Sequence, residues 1–361
     1  MIPSGHEQRG GSRTVPFFDA HCDTALKVLD GVADFVSGEG SPHVTYQGMQ
    51  HGDVRAQIFA AYALNARHPG KTADRVFGMI DAVRKMAEAS DGGMRIACSG
   101  DAIRDAFRGG PMAAILGIEG ADCLEGRAEN LRQFVDAGVR DLIFAWADNP
   151  FSGTVFGDNG PLTDEGRELL ALAEELRVMV DVSHLSDSAF VSVCDASTRP
   201  FIASHSNCRH VCPHPRNLTD AMIRALADRG GVMGINLALY FLDPEYCAKA
   251  SALQDEARRP GIGEEEKEAL RAQVLALPRP GIEKVGPHVI HAINVGGEDC
   301  IGMGGDLDGI PQTPVGIDGV ADYQRIVDVL GQAGLTDRQI EKFCYLNFVR
   351  VFGDVLGEES T

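Results

Sequence analysis

The sequence lacks any apolar run long enough to cross a membrane. No stretch of its 361 residues approaches the roughly 18 to 20 consecutive apolar residues that a membrane span requires. Residues 1–14 are polar and glycine-rich, without the apolar segment of a signal peptide, and the polar C-terminus, GDVLGEEST, carries no anchor-attachment tail. We therefore expect no membrane partner, a disordered tail over residues 1–14, and a single domain over residues 15–361.

Basic residues are scarce, and the cysteines do not form an even set. The chain has 33 Lys and Arg residues against 52 Asp and Glu residues, and its net charge of −19 would repel nucleic acid and anionic membranes. Nine cysteines at irregular spacings fit reduced thiols better than a disulfide framework. These features exclude nucleic acid as a partner and indicate a cytoplasmic location.

What the sequence does contain is a series of eight short apolar segments that alternate with segments of helical periodicity. They are residues 15–21, 56–62, 113–119, 141–146, 178–184, 200–205, 231–237 and 300–306. Continuous apolar strands alternating with helices are typical of a parallel sheet covered on both faces. Eight such units favour an α/β fold of the TIM (β/α)8 barrel type over an open doubly wound sheet, and no Gly-x-Gly-x-x-Gly motif follows the first strand.

The segments between the strands carry helix signals. Helices are predicted over residues 72–89, 163–177 and 219–231, and a closing helix is predicted to begin at the Thr-x-x-Gln capping motif of Thr336. Residues 240–298, between the seventh and eighth predicted strands, are less regular. We interpret them as an insertion near the barrel mouth, with the acidic run GEEEKEA as a solvated helix face.

Side chains of metal-ligand type follow five of the eight predicted strands. They are His21 and Asp23 after the first strand, Glu119 after the third, His184 after the fifth, His205 after the sixth and Asp306 after the eighth. In an extended chain, residues i and i+2 point to the same face, so His21 and Asp23 would lie together. Because the carboxyl ends of barrel strands meet on the face where such enzymes build their active sites, the sequence predicts a metal site there.

Imidazoles and carboxylates suit zinc, and these ligands exceed what one tetrahedral zinc ion needs. We predict two Zn²⁺ ions, one bound by His21, Asp23 and Glu119 and the other by Glu119, His184 and His205. Two such ions lie roughly 3.5–4 Å apart and can hold a hydroxide between them. All seven lysines fall in helical or loop segments, so we expect the bridge to be the Glu119 carboxylate and not a carbamylated lysine.

A second candidate zinc site is rejected. The segment CRHVCPH offers Cys208, His210, Cys212 and His214, but four ligands within seven residues would strain a tetrahedral shell. Cys22, between two predicted ligands, should point away from them and pack.

Five motifs resemble, in order, those of the membrane (renal) dipeptidase family of zinc peptidases, family M19, and its bacterial members. They are DAHCDT, GIEG, GPLTDEGRELLALAEELRVMVDVSHLS, IASHSNCRHVCPHPRNLTD and IGMGGDLDGI, and the similarity runs from about Phe17 to the C-terminal helix. The resemblance implies a TIM-barrel metallo-dipeptidase that hydrolyses small dipeptides, including L,D-dipeptides. It also implies the same five metal ligands, and a homodimer is the assembly that we consider.

The resemblance implies further roles. Arg216, in HPRN, would clamp the substrate's terminal carboxylate, for which a planar guanidinium is well shaped. Asp306 would be the acid–base residue that moves a proton from the attacking water to the leaving amine. Asp308, which would point to the same face in extended geometry, competes for that role.

The sequence departs from the family pattern after the fourth strand. The family has a substrate-binding histidine there, whereas this chain has its single tryptophan, Trp146. An indole can donate one hydrogen bond and accept none, so the substrate assignment is weakened while the metal site is not. The alternatives are a barrel amidohydrolase acting on another small amide, N-acyl amino acid or lactam, and a catalytically weak metal-binding relative.

Overall fold

The computed structural model describes residues 14–358, which contain one sheet of nine parallel strands. The strands are β1 Phe17–Cys22, β2 Val54–Tyr62, β3 Met94–Ile96, β4 Met112–Glu119, β5 Val139–Ile143, β6 Met179–Asp181, β7 Ile202–Ala203, β8 Val232–Ile235 and β9 Ile301–Met303. Their order is β2-β1-β9-β8-β7-β6-β5-β4-β3, and β2 also pairs with β4. That last pairing closes the sheet into a barrel, so the predicted TIM barrel is confirmed.

Eight of the nine strands form the closed barrel. β2 runs beside β4 from the pair Ala56–Ala113 to the pair Tyr62–Glu119. β3 pairs only with the first three residues of β4, so it is a short addition at the edge of the barrel and not one of its eight strands. The eight barrel strands correspond to the eight apolar segments of the sequence.

Helices cover the barrel and fill the connections. They are α1 Thr24–Leu29, α2 Tyr46–Gly52, α3 Thr72–Ala89, α4 Gly100–Ala106, α5 Leu131–Asp136, α6 Asp164–Glu175, α7 Asp187–Ala196, α8 Asp220–Asp228, α9 Leu239–Leu242, α10 Pro244–Ala257, α11 Glu264–Leu275, α12 Val285–Gly296, α13 Gln324–Gln332, α14 Asp337–Glu341 and α15 Asn347–Leu356. None of the helices within residues 14–358 is both long and apolar enough to cross a bilayer.

Several helix starts follow directly from the sequence. A Ser or Thr side chain accepts a hydrogen bond from the backbone N–H three residues later at the start of α2, α4, α6, α7, α8 and α14. The predicted capping motif at Thr336 is confirmed by reciprocal bonds with Gln339. The predicted closing helix is, however, interrupted by a π-helical turn over Lys342–Leu346, between α14 and α15.

The predicted insertion consists mainly of helices α10 and α11, which pack against each other between β8 and α12. The acidic first turn of α11 is largely exposed, as expected for a solvated helix face. The short helix α9 precedes the pair and lies at the barrel mouth, where its residues Tyr240 and Phe241 line a cavity.

Contacts between the two ends of the chain hold the first and last strands together. The Gln324 side chain bonds to the backbone of Val15 through both its amide nitrogen and its oxygen, at 2.9 and 3.1 Å. The buried Asp19 carboxylate accepts hydrogen bonds from the Tyr323 hydroxyl and the Gly305 N–H, both at 2.7 Å. The predicted tail, residues 1–14, lies outside the described residues except for Thr14.

Candidate metal centre

Every predicted ligand lies at the carboxyl end of the barrel. His21 is the last residue but one of β1, and Glu119 is the final residue of β4. His184 and His205 follow β6 and β7 within three residues. Asp23 follows β1 directly and is the residue before α1. All five side chains are buried. The structure therefore brings together the residues that the sequence selected, although the strand ends differ from prediction: the segments 178–184 and 200–205 form strands only at 179–181 and 202–203.

Glu119 lies at the centre of the cluster. Its Oε2 is 3.7 Å from His21 Nε2, and its Oε1 is 2.9 Å from His184 Nε2 and 3.8 Å from His205 Nε2. The two carboxylate oxygens thus face different imidazoles. This is the arrangement that a bridging carboxylate between two metal ions requires.

The donor set fits divalent metal ions. Ligand atoms of His21, Glu119 and His205 lie within 4.8 Å of one another, and so do those of His21, Asp23 and Asp306. His184 Nε2 is 2.9 Å from His205 Nε2. Neither ring nitrogen of the buried His21 has a hydrogen-bond partner within residues 14–358. A buried imidazole that has no hydrogen-bond partner and lies among carboxylates has the chemistry of a metal ligand.

Burial and neighbouring charge shift these pKa values in opposite directions. Burial alone would lower the pKa of His21, but the carboxylates around it, Glu119 first, raise that pKa to about 10. Burial raises the pKa of Glu119 to about 8, and the Asp23 charge adds to the shift. Burial lowers the pKa values of His184 and His205 well below the usual range. These shifts favour neutral imidazoles at His184 and His205 and a proton held between His21 and Glu119, which a bound metal ion would displace.

Neighbouring polar groups, which were not among the predicted site residues, orient the predicted ligands. His205 Nδ1 is 2.7 Å from the Ser204 hydroxyl, which leaves Nε2 directed into the cluster. Asn236 Nδ2 donates to Asp306 Oδ2 at 2.9 Å and lies 3.4 Å from the His205 carbonyl oxygen. The sequence does contain a signal for Asn236: it is a polar residue near the end of the predicted strand 231–237, and strand ends lie at the barrel mouth.

The extended geometry expected at Asp306 and Asp308 is wrong. Both residues have left-handed backbone angles, φ 57° and φ 69°, and both line the cavity at the barrel mouth, where they have different partners. Asp306 faces His21 and Asp23. Burial raises the pKa of Asp306 to about 6, against the lowering effect of the His21 charge.

The Asp308 carboxylate is occupied by structural contacts. One oxygen accepts hydrogen bonds from Lys27 Nζ at 2.9 Å and the His43 N–H at 2.8 Å. The other accepts from the Thr24 hydroxyl at 2.6 Å and the Val44 N–H at 3.3 Å. Four donors leave this carboxylate little capacity for proton transfer, so Asp306 is the better placed of the two.

Arg216 is buried close to the cluster, with a relative exposure of 3%. Its Nη1 donates to the Ser206 hydroxyl at 2.6 Å, whereas Nε and Nη2 have no hydrogen-bond partner among the described residues. Its Cζ lies 5.9 Å from the ring centroid of Phe241. Burial lowers the pKa of Arg216 to about 10, against the raising effect of the Asp306 charge, so the guanidinium stays charged at neutral pH. A charged guanidinium with free donors fits an anionic ligand group.

A cavity of about 390 Å³ opens over the cluster. Its lining includes Asp23, Glu119, His184, Asp306 and Asp308, the aromatic residues Tyr62, Trp146, Phe156, Tyr240 and Phe241, and one basic residue, Arg67. The volume is in the range of small-molecule sites. Arg67, which was not among the predicted site residues, lines this cavity, whereas the buried Arg216 is not one of its lining residues.

Trp146 lines the cavity on the side of the second predicted metal. Its ring centroid is 5.2 Å from that of Tyr62, 5.8 Å from Phe156 and 5.9 Å from His184. The three aromatic side chains form an apolar wall beside the imidazole. The position after the fourth predicted strand therefore does face the mouth, as its sequence context indicated.

The rejected Cys/His segment does not form a metal cluster of its own. Cys208 and Cys212 are buried, and their thiols donate to the backbone carbonyls of His288 and Tyr240, both at 3.3 Å. Cys22 is fully buried and packs in the core. All nine cysteines lie in the described range and are free thiols.

Comparison with known proteins gives consistent matches. The model of the membrane dipeptidase family, peptidase family M19, matches residues 11–359. The chain is 30% identical to the "uncharacterized protein in pqqA 5′ region" of Klebsiella pneumoniae over 295 residues, which are 80% of this chain and 98% of the relative.

Two solved structures are similar over nearly the whole chain. One is a dipeptidase AC described as a metallopeptidase of family M19, with a TM-score of 0.79 and 25% identity, covering 96% of this chain and 100% of its own. The other is a Rhodobacter sphaeroides metallopeptidase liganded with a phosphinate mimic of the dipeptide L-Ala-D-Ala, with a TM-score of 0.80 and 24% identity, covering 95% and 100%. At that identity the second likeness shows the fold alone.

Proposed function

The chain belongs to the membrane dipeptidase family, peptidase family M19, and on that premise we propose that its barrel mouth holds two zinc ions and hydrolyses dipeptides, L,D-dipeptides among them. Membership makes the protein a metallo-dipeptidase; the identity and number of the metals, the substrate stereochemistry and the residue roles are our proposals. The cytoplasmic location, the homodimer and the single domain over residues 15–361 stay predictions.

One observation supports two metal ions above all others. The two oxygens of Glu119 face different imidazoles, His21 on one side and His184 with His205 on the other. We assign His21, Asp23 and Glu119 to one ion and Glu119, His184 and His205 to the other. When bound, the pair would supply a hydroxide at neutral pH and polarise the substrate carbonyl.

The chain's own residues would then divide the remaining tasks. Asp306, held by Asn236, would take a proton from the attacking water and deliver it to the leaving amine. The free donors of Arg216 would bind the substrate's terminal carboxylate. Trp146 and its aromatic neighbours would exclude water from the side chain of the substrate.

A second candidate function rests on Trp146. Its apolar wall replaces a polar contact of the family, which favours substrates other than common dipeptides: N-acyl amino acids, lactams or other small amides. The L-Ala-D-Ala mimic belongs to the Rhodobacter sphaeroides protein, and for this chain an L,D-dipeptide is a proposal.

A substrate screen tests the proposal. Zinc-loaded protein is assayed against L,L-dipeptides, L,D-dipeptides and N-acyl amino acids, with chelator-treated protein as the control. The proposal expects zinc-dependent release of free amino acids from dipeptides. Turnover of N-acyl amino acids alone would favour the amidohydrolase, and a protein that binds both metals but turns over nothing would be the catalytically weak relative.

A further inference from the structure

A second group of metal-ligand side chains lies outside the barrel mouth. His210 is in the loop that follows β7, Asp220 is the first residue of α8, and His291 is on α12. One ligand atom from each lies within 4.8 Å of the other two. We propose that His210, Asp220 and His291 form a binding site for a zinc ion, separate from the barrel-mouth cluster.

The contacts within this group are close. His291 Nε2 is 2.8 Å from Asp220 Oδ1. The His210 and His291 rings are parallel, with an interplanar angle of 1° and centroids 4.5 Å apart. Because one ligand atom of each residue already lies within 4.8 Å of the other two, and His210 is exposed and free to turn, the three side chains can meet at one ion.

The ligand chemistry suits zinc. Two imidazoles and one carboxylate supply three of the four positions of a tetrahedral shell, and water can take the fourth because the group is reachable from solvent. The side chains of His291 and Asp220 are 18% and 36% exposed, and His210 is exposed. The hydrogen bond from His291 lowers the pKa of Asp220, with smaller effects of the His210 and Arg224 charges, so the carboxylate is ionised at neutral pH.

The three proposed ligands belong to the loop after β7 and to helices α8 and α12, which a bound metal ion would cross-link. His210 lies six residues before Arg216 in the same loop, whereas Asp220 and His291 lie on helices α8 and α12, which pack on each other. The Arg209 guanidinium, next to His210, already anchors this loop to Asp187 through two hydrogen bonds of 2.7 Å. A metal at His210 would add a second anchor on the helical side.

The segment CRHVCPH, residues 208–214, is unsuitable as a zinc site by itself, because its four candidate ligands are crowded within seven residues. The structure gives His210 different partners, from 10 and 81 residues further along. The new site shares no residue with the barrel-mouth cluster, so it does not depend on the proposed catalytic function.

Zinc content tests the proposal. Protein without an affinity tag is dialysed against a buffer that holds free zinc at a fixed micromolar concentration, and bound zinc is counted by elemental analysis. We expect His210→Ala and His291→Ala each to hold one equivalent less than the wild type. Glu119→Gln should instead lose zinc from the barrel mouth and keep this equivalent.

The matched control is His51→Ala, which removes an exposed histidine at the end of α2 and should retain all the zinc. Asp220→Asn should weaken this one zinc by at least about tenfold, because it removes the only carboxylate of the three ligands. Equal zinc content in the wild type and both histidine variants would overturn the proposal. So would an equivalent that disappears equally in His51→Ala.

A measurement on the wild type alone guards against variants that fail to fold. Amide hydrogen exchange of zinc-loaded protein is compared at low and micromolar free zinc. We expect exchange in residues 207–219 to slow at least about tenfold once free zinc exceeds about ten times the dissociation constant of the site, because binding stabilises the zinc-bound loop by RT ln(1 + c/Kd), where c is the free zinc concentration. Unchanged exchange in this loop, with zinc protection confined to the barrel mouth, would refute the site.

Discussion

Asp306 and Asp308 lie two residues apart, and substitution by Asn should lower kcat at the first position and stability at the second. Asp306→Asn keeps the shape of the side chain and allows its oxygen to accept the Asn236 hydrogen bond, but removes the group that we expect to carry the proton. General acid–base catalysis contributes roughly 10²–10⁴ in rate, and we expect a loss of that size in kcat. Because burial raises the pKa of this carboxyl to about 6, an uncharged replacement should not lower the melting temperature of the metal-free protein.

Asp308→Asn should instead cost stability. Each of its carboxylate oxygens accepts two hydrogen bonds, so the amide nitrogen of Asn would face two donors in place of an acceptor. Losing two such bonds costs about 3 kcal/mol, at the low end of the range because Lys27 is one-third exposed. An unfolding entropy of about 2.1 cal/mol/K per residue converts this loss into a fall of about 4 °C in melting temperature.

Three measurements on each variant separate the two effects: kcat on a dipeptide that the wild type hydrolyses, metal content by elemental analysis, and melting temperature of the metal-free protein. Each kcat is normalised to folded, metal-loaded protein. A larger loss of kcat in Asp308→Asn than in Asp306→Asn would refute the assignment of the proton to Asp306. An unchanged melting temperature in Asp308→Asn would refute the structural role of its four hydrogen bonds.

Four further outcomes are expected. Glu119→Gln should lower metal content at both barrel-mouth positions, and a total metal content equal to that of the wild type by elemental analysis would show that Glu119 does not bridge. Arg216→Met should reduce kcat/KM by about 30-fold or more for free dipeptides but much less for dipeptide amides; if Arg67→Met shows that pattern instead, the clamp is the cavity-lining arginine. Trp146→His should raise activity on common dipeptides about tenfold without changing metal content, and loss of activity on every dipeptide would favour the amidohydrolase. Zinc binding to metal-free protein near pH 7 should release at least one proton, because the pKa values of His21 and Glu119 lie at about 10 and about 8. The apparent zinc affinity should therefore fall as the pH is lowered. A titration with a pH indicator that detects no proton release would contradict this.

Much of the site could be predicted from the sequence because parallel strands place their carboxyl ends together whatever their exact lengths. Strand β6 is only three residues long, and His184 follows it with a left-handed φ of 70°, yet its imidazole still reaches Glu119. The helix predicted over residues 72–89 has those bounds in the structure, because its apolar positions repeat with the helical period.

What could not be predicted depends on backbone geometry and on contacts between distant segments. Strand β3 has only three residues, of which Met94 alone is buried, so it gives no periodic signal. The backbone at Asp306 and Asp308 is left-handed, whereas an alternation argument assumes extended backbone. The pairing of His210 with His291 joins a loop to a helix that lies 81 residues further along, a contact that no local pattern encodes.

The contacts that close the barrel between its first and last strands also bear on how the protein is made. The hydroxyl of Thr24 bonds to a carboxylate 284 residues later, Tyr323 bonds back to Asp19 across 304 residues, and Val15 pairs with Gln324 across 309. During synthesis, the first two proposed ligands, His21 and Asp23, leave the ribosome long before the strand that completes their surroundings exists. Contacts of such sequence separation are slow to form, because a long loop must close before they stabilise the fold. We therefore expect metal to be captured only near the end of translation, because a chain interrupted before β9 would present the proposed ligands His21 and Asp23 without the strand that encloses them.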